Sequence, residues 1–418
     1  MTAKSLIIRS IGVVGQLGST IILTQHFELT ELGAFFVAIA LSNLTVGYAD
    51  CGYCIFSFRH LSRKVPSQAV EAMALSLVFL TSPLLLSLLS LSAYYIDIPI
   101  FWVVLCFLGS ALDRLNLINR HILVLQNSYE RSFWVDSAQA IAFFLLIFSA
   151  LIVRDGGDSD LEVIIYLYLL SFVVASTLGL ILSGETKSWV NAANHLHQSK
   201  IPIRVRVALS VRKMKQSIAV SFESNLMALW WGQTLIFADL FGGRDIAGLL
   251  GVLQRFLGLS RTVTAFTMTL RRQDHYLSID ATPVLRKTFI EAFCLATAAL
   301  TAAAIWHNAG YMFVNFANLE TTQFPKILSE VSQYYAVIGL IVGAEYSHYH
   351  LSQMALGKNK LVSRTLSPAA GVFLFATVTT FLGVRGYEIS TDFILLAYAL
   401  TLVGGVAYLL WVILAHNK

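Results

Sequence analysis

Charged residues are scarce in this sequence. Only 13% of its 418 residues are Asp, Glu, Lys or Arg, whereas 56% are hydrophobic and the mean hydropathy is +0.70. Soluble domains carry about 25% charged residues, so this composition excludes a soluble protein. The net charge of +5 comes from Lys and Arg in short loops between apolar runs. Short basic loops of this kind set the orientation of a membrane protein and do not form a nucleic-acid-binding face. We therefore expect no nucleic-acid partner.

Cysteines and catalytic motifs are also few. All four cysteines lie within apolar runs, so they predict no disulfide framework, and we expect them to be small buried side chains. The sequence contains no Walker loop, no glycine-rich dinucleotide motif after a strand and no nucleophile elbow. These absences exclude an ATPase within the chain. We expect a transporter with no cofactor, no resident metal and no catalytic residue.

Long apolar runs recur along the whole chain. A spanning helix needs about 20 mostly apolar residues, and lipid tolerates no unpaired backbone groups. Twelve such runs predict an all-α polytopic membrane protein with twelve transmembrane helices in two six-helix lobes around a central cavity. The predicted spans are Leu6–Thr24, Leu32–Phe56, Ala69–Tyr94, Ile100–Leu125, Phe133–Val153, Leu161–Leu182, Ser217–Phe241, Ile246–Leu270, Val284–Trp306, Val331–Leu356, Leu366–Val384 and Phe393–Leu414.

A basic segment divides the chain near its middle. We predict an N-terminal lobe at 1–183, a cytoplasmic basic linker at 184–216 and a C-terminal lobe at 217–418. The linker lies either on the anionic inner leaflet or in solvent. The lobes share short matches at a constant offset, which favour a duplicated design like that of secondary transporters. The matches are Gly18, Thr20 and Glu31–Ala34 with Gly232, Thr234 and Asp245–Gly248.

Lys and Arg are distributed unevenly between alternate loops. With the N-terminus in the cytoplasm, the basic clusters all fall on the cytoplasmic side, and the outer loops keep only Arg154, Arg244, Lys326 and Arg385. Cytoplasmic loops carry the excess of Lys and Arg in membrane proteins. The sequence therefore predicts that both termini are cytoplasmic.

Polar residues recur inside the predicted spans, where a charge costs roughly 2.5–3.5 kcal/mol. At 100° per residue, several align on one helix face. We interpret these stripes as the lining of a hydrated central cavity. The alternative is that they are salt bridges and polar contacts between packed helices. The stripes contain Arg9, Gly12, Gln16 and Thr20; Asn43, Asp50 and Ser57; Asp113, Asn116 and Arg120; Glu223, Trp230 and Thr234; and Glu345, His348, Tyr349 and Ser352.

The arginines inside the predicted spans favour an anionic ligand, because arginine stays charged and binds phosphate through a planar fork. Arg114 and Arg120 could equally anchor the topology. The candidates for binding substrate in the cavity are Arg9, Gln16, Asn43, Arg114, Arg120, Trp230, Arg255 and Arg261. A buried carboxyl group binds a proton more tightly than an exposed one. The candidates for ion coupling are Asp50, Glu223, Glu345 and His348.

Several local motifs carry a family resemblance. Glu31–Phe36, followed by Asp50-Cys51-Gly52 and then Arg59, resembles the second helix of bacterial O-antigen and polysaccharide flippases. There, a small-residue entry precedes Asp-x-Gly and a basic loop. Further partial matches are Leu125–Arg131, Ala355–Asn359 and Ala247–Leu257. The resemblance covers the chain in architecture, although a histidine pair at His348 and His350 departs from the pattern.

The resemblance implies a flippase of the multidrug/oligosaccharidyl-lipid/polysaccharide exporter superfamily, in the bacterial cytoplasmic (inner) membrane. Its cargo would be an undecaprenyl-diphosphate-linked oligosaccharide, such as an O-antigen repeat unit, and H+ or Na+ would be the coupling ion. Membrane lipid and the polysaccharide polymerase and chain-length machinery would be its partners. The alternatives are a drug/cation antiporter of the same superfamily and a membrane-embedded polysaccharide polymerase or glycosyl-phosphate transferase.

Overall fold

A computed structural model of the chain describes residues 3–50, 52–153, 161–198, 211–212, 226, 229–230, 232–270, 282–316, 329–357, 361–387 and 389–415. Regular secondary structure in these ranges is helical throughout. The prediction of an all-α polytopic membrane protein is confirmed.

Fourteen helical stretches of at least ten described residues follow one another along the chain, and most are joined by short connections. They are α1 (Ala3–His26), α2 (Leu29–Ala49), α3 (Tyr53–Ser62), α4 (Ser67–Tyr95), α5 (Ile100–Leu125), α6 (Tyr129–Val153), α7 (Leu161–Ser183), α8 (Thr186–Gln198), α9 (232–241), α10 (Arg244–Leu270), α11 (Thr282–Phe316), α12 (Tyr335–Gly357), α13 (Leu361–Val384) and α14 (Thr391–Ala415).

Nine of the described helices are long and apolar enough to cross a membrane. They lie within α1, α2, α4, α5, α6, α7, α11, α13 and α14. The eighth and tenth predicted spans form α10 and α12, of 27 and 23 residues, whose polar side chains lower their hydropathy. The seventh predicted span, Ser217–Phe241, falls only partly within the described residues.

The helices form two compact units. The first contains Met1–Ser19 and Ala38–Ala228, and the second contains Thr20–Val37 and Leu229–Lys418. In the first unit, α5 packs against α3, α4, α6 and α7. In the second, α12 packs against α10, α11, α13 and α14. These two central helices hold the fourth and tenth predicted spans, each of which is the fourth span of its predicted lobe.

The second predicted span is not one helix. The apolar run predicts continuous helix over Leu32–Phe56, but α2 ends at Ala49 and α3 begins at Tyr53. Gly52 between them has a φ of +73°, which is left-handed backbone that suits glycine. The carboxylate of Asp50 accepts hydrogen bonds from the amides of Gly52 (3.0 Å) and Cys54 (2.7 Å). The prediction is therefore wrong here, because Asp50 satisfies amides that a continuous helix would otherwise have to pair.

Candidate functional site

The stripe with Asn43, Asp50 and Ser57 faces α5. Each member has a polar partner there: Ser110 Oγ donates to Asn43 Oδ1 at 2.9 Å, Arg114 Nε lies 3.8 Å from Asp50 Oδ1, and Ser57 Oγ lies 2.9 Å from His121 Nδ1. The partners follow one another along α5 in the same order. This arrangement forms a polar seam between α2, α3 and α5, of the kind that holds packed membrane helices together.

Four charged side chains form a network in the first unit. Arg120 Nη1 lies 2.5 Å from Asp136 Oδ1, and its Nη2 lies 2.9 Å from Asp113 Oδ1. Arg9 approaches the other oxygen of Asp136 at 3.8 Å, and its guanidinium lies 4.5 Å from the ring centroid of Phe133. Asp136 is thus the carboxylate that two predicted substrate-binding arginines share. Sequence reasoning missed this residue, which stands alone near the start of the fifth predicted span.

A buried carboxylate links three helices of the second unit. Glu345 on α12 has only 2% of its side chain exposed. Arg261 Nε on α10 lies 3.5 Å from its Oε2, and the Tyr398 hydroxyl on α14 donates to its Oε1 at 3.2 Å. The structure therefore brings together a predicted substrate-binding arginine and a predicted ion-coupling acid. Tyr398 was not among the predicted site residues.

Trp230 lies at the centre of a second buried group. Its indole Nε1 donates to the Thr401 hydroxyl at 3.1 Å, and its ring meets the His348 ring edge-to-face at 5.2 Å. The Nε2 atom of His348 lies 2.9 Å from Ser367 Oγ. A side chain at Gly371 would collide with the indole, 2.5 Å from its nearest atom. The glycine thus leaves the space in which the indole packs, and this indole is the largest fully buried side chain among the described residues.

A small, mostly apolar pocket in the second unit has Tyr398 in its lining. Its polar lining side chains are Thr234, Gln254 and Tyr398. Gln254 Nε2 donates to Thr234 Oγ1 at 2.7 Å, so α9 and α10 are tied together at the pocket wall. Because Tyr398 also binds Glu345, the pocket adjoins the buried carboxylate.

Arg255 differs from the other predicted arginines. Arg9, Arg114, Arg120 and Arg261 each have a carboxylate partner within ion-pair distance. Among the residues that the structure describes, no Asp or Glu lies within ion-pair distance of Arg255. Its half-buried guanidinium instead lies 5.6 Å from the ring centroid of Phe36. A planar cation against an aromatic ring keeps its hydrogen-bond donors available for an anion.

Two predicted site residues remain, Gln16 and Glu223. Gln16 is half-buried on α1, where its backbone carbonyl accepts a hydrogen bond from Ser19 Oγ at 2.9 Å. Glu223 lies outside the described residues. Within the described part of the chain, no three His, Cys, Asp or Glu side chains converge on a metal site. His348 and His350 point to different neighbours, since His350 packs on Tyr346.

No protein-family model and no curated protein matches the sequence. Solved structures do match its fold. One is the inward-facing conformation of a multidrug resistance MATE family transporter of the MOP superfamily, with a TM-score of 0.56, 15% identity and 98% of each chain covered. A MATE in the bent conformation gives a TM-score of 0.50 at 14% identity, covering 99% of this chain and 94% of that one.

A third match, a MATE in complex with MaD5, gives a TM-score of 0.50 at 14% identity over 99% of this chain and 95% of that one. These likenesses establish the class of fold: the chain folds like MATE transporters of the MOP superfamily. This likeness concerns the fold alone and does not separate a flippase from a drug transporter.

Proposed function

We propose that the protein is a flippase that moves an undecaprenyl-diphosphate-linked oligosaccharide from the inner to the outer leaflet by alternating access. The MATE-like fold supports membrane transport, since transporters of this kind move two bundles around a substrate site. The motifs in α2 and α10 support the lipid-linked cargo. In this proposal the protein lies in the bacterial cytoplasmic membrane with both termini in the cytoplasm.

The environment of Arg255 is the observation on which the choice of cargo rests. A half-buried arginine without a carboxylate partner among the described residues retains a full positive charge inside a membrane helix. Such a charge is expensive in lipid unless a ligand or water compensates it. A diphosphate supplies two adjacent anionic groups with the geometry that a guanidinium binds best. Arg255 is therefore our candidate for the diphosphate-binding residue.

The coupling ion acts, in this proposal, at Glu345. Its carboxylate is buried between Arg261 and Tyr398, beside the pocket that Gln254 and Thr234 help to line. Binding of H+ or Na+ would neutralise Glu345 and release Arg261 from the ion pair. That exchange would link ion binding to the position of α10, which also carries Arg255.

The test is transport in vesicles that contain the purified protein and a fluorescent undecaprenyl-diphosphate oligosaccharide. Cargo that reaches the outer leaflet loses its fluorescence to a membrane-impermeant reductant. Arg255→Gln should slow this loss roughly 10–100-fold, as expected for removing a charge-assisted hydrogen bond of about 1.5–3 kcal/mol. Arg255→Lys should retain part of the rate, because it keeps the charge but not the fork.

Arg385→Gln is the matched control, because Arg385 also lies over a phenylalanine ring, 4.6 Å from the centroid of Phe381, but is exposed. It should transport at the parent rate. Equal transport by the Arg255→Gln variant and the parent would reject Arg255 as the diphosphate ligand. No transport by the parent protein would reject the flippase.

A drug/cation antiporter is the second candidate. The fold neighbour named as a multidrug resistance transporter and the buried acidic and aromatic group at Glu345, Tyr398 and Trp230 favour it. In the same vesicles, uptake of a cationic dye driven by a proton or sodium gradient would identify this activity. Two results together would reject the flippase in favour of the antiporter. The parent protein would not move the lipid-linked cargo, and Glu345→Gln would lose the dye uptake that the parent shows.

A further inference from the structure

Four oxygen-bearing side chains form a chain of contacts where α8 meets the start of α4. Glu71 and Ser67 belong to α4, Ser188 belongs to α8, and Glu185 immediately precedes α8. Glu71 Oε2 lies 2.5 Å from Ser188 Oγ, Ser188 Oγ lies 3.3 Å from Ser67 Oγ, and Ser67 Oγ lies 2.9 Å from Glu185 Oε2. The chain runs from a residue with no exposed surface to a half-buried carboxylate.

The number of hydrogens in this chain does not match the number of contacts. Three oxygen–oxygen contacts need three hydrogens, but the two serine hydroxyls supply two. If Ser188 donates to Glu71 and Ser67 donates to Glu185, the contact between the two serines has no hydrogen. A carboxylic acid at Glu71 supplies the third: it donates to Ser188, Ser188 donates to Ser67, and Ser67 donates to Glu185.

The surroundings of Glu71 also favour the neutral acid. Its side chain is fully buried, and its second oxygen, Oε1, has no hydrogen-bond partner among the described residues. A buried, unpaired carboxylate would carry a large desolvation cost that protonation removes. No compensating cation lies within ion-pair distance in the described chain, and the negative charge of Glu185 disfavours a second one on Glu71.

The charged and titratable groups on the neighbouring elements leave this conclusion unchanged. The Glu185 carboxylate lies at the other end of the same chain of contacts. The charged and titratable side chains described on the elements packed against α4 are Lys187 on α8, Tyr53, Cys54 and His60 on α3, and Cys106, Asp113, Arg114, Arg120 and His121 on α5.

We propose that Glu71 is a proton-binding site and that the chain through Ser188 and Ser67 to Glu185 carries its proton toward the surface. In one transfer, Glu71 gives its proton to Ser188, Ser188 passes its own to Ser67, and Ser67 passes its own to Glu185. Glu71 ends as a carboxylate and Glu185 as a carboxylic acid, so protons and charge balance. The proposal is independent of the cargo, because it concerns only α4 and α8.

The protonated chain also attaches α8 to α4. Trp189 holds the same helix by donating from Nε1 to Asn119 Oδ1 on α5 at 3.0 Å. Once the proton has passed from Glu185 to solvent, one of the three contacts has no hydrogen and Glu71 carries a negative charge next to Ser188 of α8. We therefore expect α8 to be held firmly at low pH and released as the pH rises.

The first test is pH-difference infrared spectroscopy of the full-length protein in lipid nanodiscs without sodium. Exposed carboxyl groups are ionised near neutral pH, so the carbonyl stretch of a carboxylic acid there reports buried acids such as Glu71. Glu71→Gln should remove one such band, and the matched control Glu162→Gln, at an exposed glutamate of α7, should keep it. An unchanged spectrum in Glu71→Gln would reject the proton site.

The second test is hydrogen exchange of residues 186–198 between about pH 6 and about pH 9, corrected for the intrinsic exchange rate. In the parent protein, protection should fall as the pH rises. Glu71→Gln, whose amide supplies a permanent donor to Ser188, should stay protected throughout. Ser188→Ala breaks the chain and should abolish the pH dependence even if Glu71→Gln fails to fold. If protection instead varies with sodium concentration at constant pH, the site binds a sodium ion and the proton-binding proposal is rejected.

Discussion

Gly33 on α2 and Gly248 on α10 each lie against the backbone of the other's helix. A Cβ atom at Gly33 would collide with the carbonyl oxygen of Arg244 and lie 3.1 Å from the amide nitrogen of Gly248. A Cβ atom at Gly248 would collide with the carbonyl oxygen of Leu29 and lie 3.3 Å from the amide nitrogen of Gly33. The two segments that match in the sequence repeat are therefore also the segments that cross, through reciprocal contacts.

Gly248→Ala should destabilise the protein by about 1–3 kcal/mol, because the added methyl group meets backbone atoms that cannot rotate away. The matched control is Gly404→Ala on α14, where a Cβ atom would meet nothing within 4 Å. That substitution should be neutral or stabilise by up to about 1 kcal/mol, since alanine favours helix. Thermal unfolding in detergent measures both. Equal midpoints for the two variants would contradict the close crossing.

Two substitutions of Asp50 separate a structural role of this residue from an ion-coupling role. Asp50→Ala removes the acceptor for the amides of Gly52 and Cys54, which should cost about 0.5–2 kcal/mol. Asp50→Asn keeps one acceptor oxygen and should retain most of the stability. If Asp50 couples an ion, Asp50→Asn should fold but lose gradient-driven transport in vesicles. Parent-like transport by a stable Asp50→Asn variant would assign Asp50 to the helix break alone.

Removal of Arg261 should be costly because it leaves the buried carboxylate of Glu345 without its cation. We expect Arg261→Gln to destabilise by about 3 kcal/mol, at the low end for a buried pair because 29% of the Arg261 side chain is exposed. The double variant with Glu345→Gln should lose less than the sum of the single variants. Additive losses in chemical denaturation would show that the two side chains do not interact.

Asp136 should contribute more to stability than Asp113. Asp136 contacts both Arg9 and Arg120, whereas Asp113 contacts Arg120 and has 46% of its side chain exposed. Asp136→Asn should therefore cost about 1–2 kcal/mol, and Asp113→Asn should cost less than about 1 kcal/mol. Midpoints of thermal unfolding provide the comparison. The reverse order would show that Arg120 depends mainly on Asp113.

The helical architecture was predictable because the bilayer imposes a length on each apolar run. Ile100–Leu125 shows this best, since the predicted span and α5 have the same bounds. The break after Ala49 was missed because the apolar run continues through it, from Tyr53 to Phe56. Asp50, two residues before Gly52, was the available signal: an acceptor followed by a residue that tolerates left-handed backbone.

The partners of the charged residues could not be predicted. Helical spacing places Arg9, Arg120 and Arg261 on helix faces, but it does not say which helix lies opposite. Asp136 became visible as a shared partner only through the packing of α1, α5 and α6. For the same reason, the stripe through Asn43 and Ser57 was predictable as a stripe, whereas its contact with α5 was not.

The interruption between α2 and α3 has a consequence for rotational phase. Each residue turns a helix by about 100°, so one residue added to an uninterrupted helix reorients everything beyond it. Here the turn at Gly52 resets the angle at which α3 starts. The orientations of α2 and α3 toward α5 are therefore independent. An insertion or deletion in one of these helices would leave the contact of the other with α5 unchanged.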